Sequence, residues 1–368
     1  MNEVIIAGAG SGKTTYIVNK ALEIKNAKVL ITTFTEANEK EIISKFFEVN
    51  GCVPQNIIVQ TWFSFLLEHG VRPYQGMITN KKINGLLLVN TKSGFKCNFR
   101  GRPVYWGEKN IDEHYFSQEY NIYSDKLSKF VYKCNELSNN KVLERISLLY
   151  PHIFIDEVQD MAGYDLDIIK LLLSTNVNVI LVGDPRQTTY HTHNEAKYSK
   201  YLNGNIKDFI LKECNKYECR IDDTSLVNCF RCNQNICDLA NKIFPHFPAL
   251  QSEQREKVEH SGVYLVKPKD VDYYLNKYSP IQLRDSAKIK VNNQYPVMTF
   301  GNSKGLTFCR TLIYPTKPIV AWLLNSNSEL APLSRSKLYV ALTRAKYSIG
   351  IVYDYGNENI DGIEKYIP

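Results

Sequence analysis

The chain has 368 residues, a formal net charge of +7 at pH 7, 44% hydrophobic and 23% charged residues. That length allows two or three domains with substantial cores, and no apolar run approaches the roughly 18 residues a bilayer span needs, which argues against a membrane protein. The charge permits a polyanionic partner without requiring one; nine cysteines, an odd number at apparent core and motif positions, read as reduced thiols, and with no secretory signal visible the expected setting is cytoplasmic.

The first element predicted is a strand at Val4-Ile5-Ile6, followed by the loop Ala7-Gly8-Ala9-Gly10-Ser11-Gly12-Lys13-Thr14 and a helix over 15–25. Strand, glycine loop and helix in that order read as a phosphate-binding loop, so the chain is expected to bind a nucleoside triphosphate. Gly10, Ser11, Gly12, Lys13, Thr14 and Thr15 would line it. Glycines let backbone N–H groups turn inward, Lys13 neutralises the β and γ oxygens, and the Thr14 hydroxyl meets Mg²⁺. Ala7 stands where the strict pattern has glycine.

Further along, Lys92 to Trp106 interleaves basic and aromatic side chains, a mixture that suits either a strand-binding surface or a small hairpin with its own apolar face. The apolar strand Ile153-Phe154-Ile155 ends in Asp156-Glu157. An acidic pair there places Asp156 on the Mg²⁺ and Glu157 as the base that orients and deprotonates the attacking water. A third strand over 177–182 runs into Gly183-Asp184-Pro185-Arg186-Gln187, where Gln187 is positioned to sense the γ-phosphate. Cys229-Phe230-Arg231-Cys232 has a two-residue gap seen between zinc or iron-sulfur ligands, but one matched gap is a weak signal, so thiols are expected. Val263 to Val266 reads as one more strand.

The order of these motifs resembles superfamily 1 helicases of the UvrD, Rep and PcrA type. The phosphate loop, Ile31-Thr32-Thr33-Phe34-Thr35, the segment 156–160 and the segment 182–187 resemble first-lobe motifs; 226–231, 298–308 and 338–346 resemble the fourth, fifth and sixth. The resemblance implies an α/β fold of two RecA-like P-loop lobes with parallel sheets, the nucleotide lying in the cleft between them. Residues 1–67 and 147–221 would form the first lobe, 68–146 an inserted accessory subdomain, and 222–368 the second lobe with only a short insertion near 245–290, so that the large second accessory subdomain is expected to be absent or vestigial.

By the same resemblance Arg231 and Arg344 are arginine fingers, Phe230 stacks on the nucleotide base, and Gly305 belongs with the nucleotide-contacting residues. Phe34 would stack on a base of single-stranded DNA, with Thr61, Ser64 and Thr299 on phosphates and Tyr190 keeping one aromatic in the loop after Gln187. Thr192 occupies the place of a base-stacking tryptophan, and His191 and His193 either replace its grip or sit in a plain surface loop. The glutamine that reads the adenine edge has no counterpart, and Thr307 replaces a glutamate near the ribose; ATP remains the default. The implied activity is an ATP-dependent single-stranded DNA translocase or helicase moving 3′ to 5′. The alternative is a DNA-stimulated ATPase switch regulating a partner nuclease; intact Lys13, Glu157, Gln187, Arg231 and Arg344 argue against a module without turnover.

Overall fold

A computed structural model of the chain describes residues 1–190, 192 and 197–368. They form two compact units: one comprises Met1–Ile5, Thr14–Gly183 and the described part of 191–221, the other Ile6–Lys13, Asp184–Tyr190 and Asp222–Pro368.

In chain order the strands of the first unit are β1 (Asn2–Ile6), β2 (Val29–Thr33), β3 (Ile57–Thr61), β4 (Gly85–Leu87), β5 (Phe95–Phe99), β6 (Arg102–Tyr105), β7 (Asn121–Tyr123), β8 (His152–Ile155), β9 (Asn178–Gly183) and β10 (Cys219–Asp222). Six of them make one sheet in the order β10-β1-β9-β8-β2-β3. Parallel registers include Val29 opposite Ile57 and Ile153 opposite Val179. All five residues of β2 are buried, the mark of a parallel strand covered on both faces, where β-branched residues fill a pleated surface.

The helices of this unit are α1 (Lys13–Glu23), α2 (Glu36–Asn50), α3 (Trp62–Phe65), α4 (Ile111–Tyr115), α5 (Ser124–Leu137), α6 (Lys141–Leu149), α7 (Tyr164–Leu173) and α8 (Ile206–Glu213). Local chemistry sets their ends. Thr35 caps α2 by accepting the Asn38 N–H at 3.2 Å, and Gly51 closes it at φ +77° with its N–H on the Phe47 carbonyl. Between β3 and β8 the chain inserts small elements: β4 pairs with β7 in parallel, and β5 with β6 as an antiparallel hairpin whose turn residues Arg100 and Gly101 both have positive φ, the conformation that two-residue hairpins favour.

The second unit holds β11 (Asn228–Cys229), β12 (Gln251–Ser252), β13 (Gly262–Val266), β14 (Ile281–Arg284), β15 (Val297–Thr299), β16 (Phe308–Tyr314), β17 (Ala345–Val352) and β18 (Glu364–Lys365). Its sheet runs β15-β14-β16-β17-β13-β18, every neighbouring pair parallel. Helices α9 (Gln234–Ile243), α10 (Val271–Tyr278), α11 (Lys317–Leu324) and α12 (Pro332–Leu342) accompany it. The core joins Ile236, Leu265, Leu283, Ile313, Leu338 and Ile349.

The expected α/β class with two parallel sheets is what the chain adopts. Boundaries shift slightly: α1 starts at Lys13 instead of Thr15 because Gly12, at φ +83°, is the last residue a right-handed helix cannot include. The stretch 245–290 contributes β12, β13, α10 and β14. Among the described residues no helix is long and apolar enough to cross a membrane.

Candidate functional site

The second unit contains the phosphate loop. Gly10 and Gly12 stand at φ +68° and +83°, which glycine tolerates without a Cβ penalty. Ser11 closes the turn by donating its hydroxyl to the Gly8 carbonyl at 2.8 Å. The loop is also held by backbone: Gly8 N–H donates to Leu226 O at 2.7 Å, and Phe230 N–H donates to Gly10 O at 2.9 Å. A Cβ at Gly10 would stand 2.8 Å from Arg231 Cβ and 2.9 Å from Cys229 Sγ, so glycine is required for closeness as well as for φ. Lys13 follows as the first residue of α1, half-buried.

Arg344, 1% exposed, lies in the same unit. Its guanidinium donates to Val340 O at 3.1 Å, Leu306 O at 3.2 Å, Gln187 Oε1 at 3.1 Å and Thr343 Oγ1 at 3.2 Å. Gln187 in turn donates its amide to Asp184 Oδ2 at 2.8 Å. Arg231 donates to the Thr343 carbonyl at 3.0 Å, one residue before Arg344. Phe230 is 63% exposed, presenting its ring rather than burying it. Gly305 turns at φ +83° beside the Leu306 carbonyl that Arg344 uses. Tyr190 lies under the Lys304 ammonium at 4.7 Å, and Thr299 accepts the Asn302 N–H at 3.3 Å.

Two residues that sequence reasoning gave no role reinforce this cluster. Arg186 bonds Asp184 at 2.8 Å, donates to Ala7 O at 3.1 Å and lies over the rings of Tyr339 and Phe247. Burial alone would depress its charge, yet the Asp184 carboxylate more than restores it, so Arg186 stays firmly cationic. Tyr339 accepts the Ala9 N–H through its hydroxyl at 3.4 Å. The position between Pro185 and Gln187 was the only available signal for Arg186; Tyr339 reads as a core aromatic.

Cys229, Cys232 and Cys237 are buried free thiols beneath the loop, with Cys232 N–H on Cys229 Sγ at 3.3 Å. The Cys232 thiol donates to Thr343 O at 3.7 Å and the Cys237 thiol to Cys232 O at 3.9 Å. Among the described residues no group of three His, Cys, Asp or Glu side chains is arranged to hold a metal ion.

The first unit carries the remaining candidates. Asp156 closes the β8 end with its N–H on Thr32 O at 2.8 Å and accepts the Thr33 hydroxyl at 3.4 Å. Glu157, 9% exposed and in the left-handed region at φ +55°, accepts the Gln159 amide. Strain of that kind is held in place only where the surroundings over-determine it. Thr14 donates to Glu41 Oε1 at 3.4 Å, and Thr15 beside it is half-buried. The Thr14 hydroxyl and the buried Asp156 carboxylate are hard oxygen donors, the set Mg²⁺ prefers.

Thr61 and Ser64 share one device: Thr61 caps α3, accepting the Ser64 N–H at 3.1 Å, with the two hydroxyls 2.8 Å apart. Phe34 meets Phe63 edge-on at 5.5 Å. Thr192 points inward, 7% exposed, donating to Asp165 and accepting the Ala162 N–H at 3.0 Å. The fully buried Asp165 also accepts Trp62 Nε1 at 2.7 Å and the Ser128 hydroxyl. His191 and His193 lie outside the described residues.

Two parallel sheets, the first opening through a glycine-rich strand-to-helix loop, put the chain among the P-loop proteins. Residues 2–65 and 71–207 match the UvrD/REP helicase N-terminal domain, and the chain belongs to that family. It is similar to a probable DNA helicase II homolog of Mycoplasma genitalium, 25% identical over 304 residues, 68% of this chain and 41% of the relative. The ATP-dependent DNA helicase Rep of Buchnera aphidicola is 25% identical over 241 residues, 51% of this chain and 36% of its own. The Gabija protein GajB of Bacillus cereus is 26% identical over 268 residues, 69% of this chain and 49% of its own. The chain thus spans less than half the length of these relatives.

Proposed function

We propose that the chain is an ATP-dependent single-stranded DNA translocase of the UvrD/Rep type, moving 3′ to 5′. The observation that carries the reading is the convergence, in one compact unit, of the phosphate loop with Gln187, Arg231 and Arg344, the last desolvated and hydrogen-bonded to Gln187 at 3.1 Å.

In this reading Gly10 to Thr15 cradle the phosphates, Lys13 neutralises the β and γ oxygens, and Phe230, already exposed, stacks on the base. Glu157 orients and deprotonates water at the γ-phosphorus. Arg231 and Arg344 meet charge that spreads over the transferring phosphoryl oxygens, an effect worth roughly 10³ to 10⁵ in rate. Because Arg344 and Asp184 hold opposite ends of the Gln187 amide, loss of the γ-phosphate reaches the segment after Gln187 through that side chain. Thr14 and Asp156 would hold Mg²⁺, which supplies charge neutralisation at the phosphates. Phe34, Thr61, Ser64, Tyr190 and Thr299 contact the strand.

The test is ATP turnover with and without single-stranded DNA, combined with displacement of a protein block from either strand end. Strand-stimulated turnover and clearance of the 5′-end block alone support the reading. Turnover indifferent to DNA sinks it.

A further inference from the structure

The hairpin of β5 and β6 is unlike the rest of the first unit. Every residue of β5 is exposed, with Phe95 at 55% and Phe99 at 62%. Small apolar ribbons normally bury one face; this one turns two phenylalanines to water. Its charge is of one sign, since Lys92, Lys96, Arg100 and Arg102 fall between residues 92 and 106 with no Asp or Glu among them. Cation and ring are already paired: the Lys96 ammonium lies over Trp106 at 4.3 Å, Lys92 over Tyr105 at 4.6 Å and the Arg100 guanidinium over Phe99 at 5.3 Å.

The base of the ribbon is tied down by hydrogen bonds. Ser93, 8% exposed, places its N–H on Asp125 Oδ2 at 3.1 Å, and Asp125 is paired with the buried Lys126 at 2.8 Å. Trp106 N–H donates to Gly94 O at 2.8 Å, and the Trp106 carbonyl meets His114 Nδ1 at 2.7 Å. Gly94 turns at φ +69° where a Cβ would stand 3.1 Å from Glu113 O. A fixed base under an exposed arm keeps the ordering cost of binding low.

We propose that this ribbon binds a single nucleic-acid strand, stacking Phe95 and Phe99 on bases while Lys96, Arg100 and Arg102 neutralise phosphates. Rings and arginines also suit protein interfaces. Uniform positive charge selects a polyanion, and flat rings open to water select bases that are not already stacked in a duplex. The proposal rests on the nucleic-acid reading above and adds a contact surface to it.

The test is fluorescence anisotropy with labelled oligothymidylate across a potassium chloride titration. It compares the wild type with Phe95→Ala/Phe99→Ala and with Lys96→Gln/Arg100→Gln/Arg102→Gln, each checked for an unchanged thermal midpoint. The aromatic pair is expected to weaken binding at least about 30-fold, the effect of two lost base stacks. The cation variant is expected to make the slope of log affinity against log salt shallower by about 2, from three phosphates. Both variants at wild-type affinity and slope overturn the ribbon's role, leaving the surface to a protein partner. Loss confined to the cation variant refutes stacking. A wild type that binds no strand instead fails the functional reading itself.

Discussion

Gly10→Ala is the sharpest single perturbation of the nucleotide site. At φ +68° an L side chain pays about 1 kcal/mol or more for the left-handed conformation. The added methyl also stands 2.8 Å from Arg231 Cβ, an atom fixed to backbone, and 2.9 Å from Cys229 Sγ. Overpacking of that kind costs about 1–3 kcal/mol. Together the substitution disfavours the loop's seat, which includes the Phe230 N–H to Gly10 O bond at 2.9 Å, by about 2–4 kcal/mol. ATP titration calorimetry should show affinity reduced at least about tenfold, the equivalent of about 1.4 kcal/mol, with a lowered thermal midpoint. Gly76→Ala, where a Cβ meets nothing within 4 Å, is the matched control and should be neutral. Wild-type affinity and midpoint in Gly10→Ala would show that the loop's seat does not depend on glycine at this position.

Three further outcomes are expected. Glu157→Gln should retain ATP binding while turnover falls at least about 10²-fold, since the base is lost; steady-state hydrolysis checks it, and undiminished turnover removes Glu157 from the chemistry. Asp165→Ala strands the Trp62, Ser128 and Thr192 donors in a buried site and should cost about 3–5 kcal/mol in urea unfolding; a change under about 1 kcal/mol would show that the three find other partners. His260 is sandwiched between Tyr264 and Tyr278, bonds the Tyr274 hydroxyl at 2.8 Å, and is lowered from 6.5 to about 4 by burial, then by Arg310 and Lys277. The unfolded chain therefore binds the extra proton first, so this stability is complete above about pH 6.5 and is lost as pH falls toward 4. The melting midpoint should drop across that window, and His260→Phe should flatten the drop; an unaltered profile in the variant discounts the histidine.

What could be read in the sequence was local. The phosphate loop announces itself because glycines, Lys13 and Thr14 sit within eight residues between an apolar strand and a helix, and β8 and β9 show as apolar runs that end in acids or glycine. The alternation of rings and cations over 92–106 allowed a hairpin, and one forms, but that it leaves its rings in water was not visible. Residues joined across long separations stayed hidden. Asp165 gathers partners 103, 37 and 27 residues away, and Arg186 reaches Ala7 across 179; no periodicity encodes such meetings. Thr192 looked like a lost base-stacker, whereas burial makes it an internal tie to Asp165.

If Arg344 meets the γ-phosphate in the transition state, as proposed, its loss falls on turnover more than on ATP binding. Steady-state ATP hydrolysis by Arg344→Ala in the presence of single-stranded DNA tests it most directly. The expected result is kcat lowered by about 10³ or more with KM for ATP moved less than about tenfold, and only partial recovery in Arg344→Lys, which keeps the charge but not the planar fork. A normal kcat with a raised KM would contradict it, making Arg344 a ground-state binding residue.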